Sequence, residues 1–177
     1  RVRSVHLLRD APAGGRDRLS ASRPAKPDLL VVGVGNEMMR DEGVGMAVAR
    51  ELQGRELGAR VRVRELGTRG FDLICEMEGV ARGIVIDAVR AGGEPGSIYQ
   101  FTPEQPSQAE GLQRPRKVAD LRKVIELAAV TGIRPEVTIV GVEPEEVAPG
   151  QGLSPTVGRR VGELVETVER LVEDNAA

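Results

Sequence analysis

Three short apolar runs constrain this chain more than anything else in it. Asp28 to Gly33 reads as a buried strand closed by glycine, Gly83 to Asp87 (GIVID) as a second, ended by a carboxylate, and Val137 to Val142 (VTIVGV) as a third. Runs that are apolar on every residue, not on alternate ones, are what strands covered on both faces require. Helical patterns stand between them. Glu42 to Leu57 places Val44, Val48 and Leu52 on one face, and Val118 to Val130 stripes Val118, Leu121, Ile125 and Ala128. Pro155 to Glu173 stripes Val157, Val161, Leu164, Val165, Val168, Leu171 and Val172, with Ser154 as its N-cap and Pro155 at the first helical position. Arg60 to Leu66 (RVRVREL) alternates charged and apolar, as a half-buried or edge strand does, and Ser97 to Phe101 reads as a further strand. Phe71 to Glu78 reads as a short helix and Glu104 to Arg116 as a polar loop. Strands alternating with helices predict an α/β domain on a mostly parallel sheet.

Residues 1–27 read differently. They are rich in Arg, Pro, Gly, Ser and Ala and lack the apolar segment of a secretory signal. We expect a disordered extension there and a single α/β domain over residues 28–175. The net charge of -2 offers no broad basic field for nucleic acid. No apolar run approaches the ~20 residues of a spanning helix, so no membrane partner is expected. One cysteine, Cys75, excludes an intramolecular disulfide and fits a reducing, cytoplasmic setting. No histidine accompanies it, so Cys75 reads as core, not as a nucleophile.

The first strand runs into GVGNEMMRDEGVG, Gly33 to Gly45. Gly33 and Gly35 fit a dinucleotide-binding turn, and Glu65 would imitate its ribose-binding acid, but the third glycine position falls on Met38. Asp41 and Glu42 stand where such a helix start would present N–H groups to phosphate, and they would repel it. Helix capping accounts for one or both acids. It leaves Asp87 to be read separately, as a cap of the turn from Ala88 to Gly93 or as a ligand. If the first and third strands are neighbours, the Glu42 loop and Asp87 meet beyond their carboxyl ends, where ligands bind in such sheets. Two carboxylates in one crevice repel unless a cation or proton lies between them, and a divalent metal satisfies both.

Five motifs, in order and spacing, resemble the hydrogenase maturation endopeptidases. They are LLVVGVGNEMMRDEGVGMAVA, ELGTRG (Glu65 to Gly70), IVIDAV around Asp87, TIVGVEPE (Thr138 to Glu145) and GLSPTV (Gly152 to Val157). The resemblance implies a five-stranded, three-layer α/β fold with helices on both faces of the sheet. It implies removal of a C-terminal extension from the large-subunit precursor of a nickel-iron hydrogenase after nickel insertion. It makes Glu42 and Asp87 the catalytic and metal-contacting residues, and nickel, carried by the substrate, the metal. A different divalent cation remains open. Gly67, Thr68 and Arg114 are the expected substrate contacts.

That family also places a histidine before the helix that starts near Val118. Here Arg114 falls at that position, and the chain's one histidine is His6. Two carboxylates alone make a hard oxygen site, better suited to Mg or Mn than to nickel. Three readings stay open: an active protease whose nickel is held mainly by the substrate's cysteines; an inactive binder in which Arg114 replaces a metal; or a shifted loop in which Gln113 or Glu110 reaches in. In the first, water is the attacking species and Glu42, at a loop end, the better general base. Met38 and Met39 are candidates for lining a groove for the partner's tail, or for packing on the sheet. Arg114, Arg116 and Lys117 would dock an acidic partner or form a solvated helix start.

Overall fold

β1 (Leu29–Val34) is an interior strand of a five-stranded sheet, buried from Leu29 to Gly33. The computed structural model describes residues 28–68, 72–104 and 116–176, the side chains of 116–120 and 176 excepted. β2 (Val61–Gly67) and β3 (Arg82–Ala88) flank β1, both parallel to it. β5 (Glu136–Val142) lies parallel to β3, and β4 (Ile98–Phe101) closes the far edge antiparallel to β5. The order is therefore β2-β1-β3-β5-β4. The sheet is mostly parallel, as expected, and β2 is the edge strand that its alternating charges suggested.

The apolar runs are continuous because each strand feeds two cores. Leu29 and Val31 face α1 (Val44–Gln53) and α5 (Val161–Ala176), packing with Val48, Leu52, Leu164, Val165 and Val168. Leu30 and Val32 face the other way, onto α2 (Asp72–Met77) and α3 (Arg116–Val130), through Leu73, Met77, Leu121 and Ile125. Helices on both faces of one sheet make three layers.

Two helix expectations need correction. The helix expected from Glu42 begins only at Val44 and ends at Gln53; Arg40–Gly43 form a separate 3-10 turn. The expected Pro155 to Glu173 helix is two: α4 (Pro155–Gly158) and α5. At the break, Arg160 N–H donates to Val157 O, a tightened one-in-three bond, before the next regular bond from Leu164 N–H to Arg160 O. The apolar stripe survives the break, since Val157 and Val161 join the same core as Val168. Ser154 is the N-cap of α4, its hydroxyl accepting from Val157 N–H at 3.3 Å. No helix among the described residues is long and apolar enough to cross a membrane. Residues 1–27 lie outside the described residues.

Candidate active site

The chain leaves β1 for β2 on one side and meets β3 on the other, so the crevice beyond β1 and β3 is where the strand order reverses. Gly35 is its floor. At φ +140 it adopts a backbone that L side chains rarely take, and a Cβ there would sit 1.8 Å from Glu42 O and 3.7 Å from Asp87 Oδ1. The backbone of Glu42 and the carboxylate of Asp87 thus border one glycine. Asn36 N–H donates to Glu42 O at 2.9 Å, closing the loop onto its own end. Asp87 is 8% exposed, and its Oδ1 accepts from Ala88 N–H at 2.8 Å. Glu42 is half-buried.

Gly67 reaches the same floor: its carbonyl accepts from Gly35 N–H at 3.1 Å, and its N–H donates to Met46 Sδ of α1. Thr68, next in the chain, is exposed. Three of the expected site positions are therefore adjacent, with Thr68 at the rim. Arg114, Gln113, Glu110 and His6 lie outside the described residues, as do the side chains of Arg116 and Lys117.

Asp41 does not pair with Glu42, and it is not a simple cap. It is fully buried, and its carboxylate accepts four hydrogen bonds from the β5–α4 loop: from Glu145 N, Glu146 N and Ser154 Oγ on Oδ2, and from Ser154 N on Oδ1. Of the adjacent acids Asp41 and Glu42, the first is therefore structural. Glu65, the would-be ribose acid, is bound by Arg50 at 2.6 Å, and Arg50 also reaches Glu37 at 3.1 Å. The guanidinium is held above its ordinary pKa, first by the Glu37 hydrogen bond and then by Glu65. Cys75 is exposed, against expectation, because Leu73 and Met77 take the inward face of α2. Met38 is 58% exposed, so it does not pack on the sheet.

Glu143 was not singled out by sequence, though it stands in the TIVGVEPE motif. It is buried just past β5, and its Oε2 accepts from Ala91 N, Gly93 N and Tyr99 OH at 2.8, 3.3 and 2.9 Å. It thereby pins the loop that follows Asp87. The Tyr99 phenol is pushed up, mainly by burial and then by donating to Glu143. A raised phenol holds its proton more tightly in the folded chain, so this contribution is complete below the ordinary value of 10.0 and fades as pH rises through the raised one. Tyr99→Phe should cost about 1 kcal/mol near neutrality. The Tm gap between wild type and variant should close above pH 10.0. A gap that stays constant to pH 11 would contradict that linkage.

Fold and crevice together define an α/β domain with a buried aspartate, Asp87, at its switch point and an acidic turn beside it, where a dinucleotide-binding domain would present N–H groups. A family model described as HycI, hydrogenase maturation protease, matches residues 46–171. The chain is 32% identical over 144 residues to Hydrogenase 2 maturation protease of Escherichia coli K12, covering 79% of this chain and 87% of that protein. It is 32% identical to the hydrogenase expression/formation protein HupM of Azotobacter chroococcum over 70% of this chain, spanning 60% of HupM's length. The hydrogenase maturating endopeptidase HybD of E. coli superposes with a TM-score of 0.73 at 29% identity, over 82% of this chain and 92% of HybD. HybD of Thermococcus kodakarensis gives 0.68 at 29%, over 81% and 98%. The chain belongs to the hydrogenase maturation protease family.

Proposed function

We propose that this chain is the endopeptidase that trims the C-terminal extension from a nickel-iron hydrogenase large-subunit precursor, with Glu42 and Asp87 as its working carboxylates. The observation that carries the reading is the meeting of the Glu42 backbone and the Asp87 carboxylate at Gly35, at the sheet's switch point. Gly67 and Thr68 form the adjoining rim and are the proposed substrate contacts, with Arg114 as a third.

A resident nickel does not suit the residues present. Among the described residues no group of three His, Cys, Asp or Glu side chains could hold a metal ion, and the one histidine is His6. Two carboxylates supply only hard oxygen donors, whereas imidazole or thiolate favours nickel. Nickel therefore enters as part of the substrate. The chain's own contribution is to orient the tail and to accept a proton. In this reading Glu42 takes that proton from the attacking water, and the scissile amide nitrogen leaves as the amine. Nothing in the comparisons favours the inactive alternative.

The test is incubation of the purified chain with a nickel-loaded large-subunit precursor, followed by the precursor's mass. Loss of a short C-terminal peptide is expected. An intact precursor that co-purifies with the chain would instead make it a binder.

A further inference from the structure

We propose that Asp41 and Ser154 are positioning residues: the β5–α4 loop, and not helix α1, holds the turn that presents Glu42. The proposal rests on the reading of Glu42 as a working carboxylate. Its starting point is an absence of local support. The N-cap positions of the 3-10 turn and of α1, Met39 and Gly43, make no side-chain capping bond. Arg40 opens the turn at φ +51, the non-glycine residue with positive φ among those described. An arginine holds that conformation only when its surroundings impose it. Its Nε is buried without a hydrogen bond, 3.7 Å from Glu146 Oε2.

What imposes it is tertiary. Arg40 N–H donates to Gly150 O at 3.0 Å, Gly150 N–H returns to Met38 O at 2.9 Å, and Asp41 N–H donates to Glu146 O at 3.2 Å. Over these sits the Asp41 carboxylate with its four donors, the shortest from Ser154 N at 2.6 Å. Residues 38–41 are thus stitched on both sides of the chain to residues 145–154. Glu42 follows directly, so its backbone direction is set by a loop more than a hundred positions downstream. Ser154 serves twice, donating to Asp41 Oδ2 and accepting from Val157 N–H at the start of α4.

Isosteric replacement exposes the dependence. In Asp41→Asn an NH2 group replaces one carboxylate oxygen, and either orientation turns it toward a backbone N–H that now lacks an acceptor. Should that variant fold poorly, Ser154→Ala removes a single donor to Asp41 and is the milder probe.

The experiment reads amide hydrogen exchange and clipping on the same proteins. Asn36 N–H and Glu42 N–H, which bond to Glu42 O and Met39 O, report the turn; Val48 and Leu52 report α1. In Ser154→Ala, exchange at Asn36 and Glu42 should rise about tenfold, with Val48 and Leu52 unchanged. Clipping should lose about tenfold in kcat with KM within about twofold, since misplacement of a working group spares binding. Val168→Ala, in the core of α5, should lower Tm yet keep kcat at temperatures where it is folded. Unchanged exchange at Asn36 and Glu42, or an equal rise at Val48 and Leu52, overturns the proposal. So does full kcat in Ser154→Ala and in folded Asp41→Asn. A wild type that does not clip would count against the endopeptidase reading alone, and exchange would still decide how the turn is held.

Discussion

Glu42→Gln is expected to leave the precursor bound and uncut. The amide matches the carboxylate in size, so the turn and its bond from Asn36 N–H to Glu42 O are preserved. What disappears is the ability to accept a proton, and general-base loss of this kind lowers rates by about 10²–10⁴-fold. Because Glu42 is half-buried at the crevice and not in either core, Tm should move little. The check is single-turnover clipping by mass, beside co-purification of precursor with the variant. Cutting at more than about a tenth of the wild-type rate would remove Glu42 from the chemistry. Asp87→Asn is the companion, and the two should not be additive if the carboxylates act on one group.

The second large effect runs against helix propensity. Alanine in place of a helical glycine ordinarily stabilises by ~1 kcal/mol. Gly45, in the first turn of α1, should do the reverse. A Cβ there would lie 2.3 Å from both Ile86 O and Val34 O, the backbone of β3 and β1. Neither carbonyl can yield without opening the sheet beneath the site, so α1 itself must lift. Gly45→Ala is expected to cost about 3 kcal/mol or more. Gly162, in α5, has nothing within 4 Å of its would-be Cβ, so Gly162→Ala should stabilise by up to ~1 kcal/mol. Urea unfolding of the two variants should bracket the wild type. A Gly45→Ala protein as stable as wild type would mean that α1 does not sit this close to the sheet.

That contrast also explains the glycines of the opening motif. They look like phosphate-binding glycines because both jobs need backbone without Cβ. Here Gly33 and Gly45 let α1 lie against β1 and β3, and Gly35 lets the Glu42 backbone close down beside Asp87. The layered sheet was readable from LLVV, GIVID and VTIVGV because strands buried on two faces cannot hide their composition. The place of Asp87, buried near the carboxyl end of β3, was readable too, since GIVID ends on it. The role of Asp41 was not, because its partners arrive from residues 145, 146 and 154 and three of its four donors are backbone N–H groups. Side-chain identity says little about such a bond. Cys75 was misread for a simpler reason. In a six-residue helix, Leu73 and Met77 share one face, and the residue midway between them points elsewhere.

Tyr99 carries a last consequence. The chain has no tryptophan and a single tyrosine, so its ultraviolet emission comes from one phenol. That phenol donates to the Glu143 carboxylate, which also grips Ala91 and Gly93 behind Asp87. A neighbouring carboxylate quenches tyrosine light. The untouched protein is therefore dim by construction, and brightening would announce that the segment behind Asp87 has let go, with no dye attached and no residue changed.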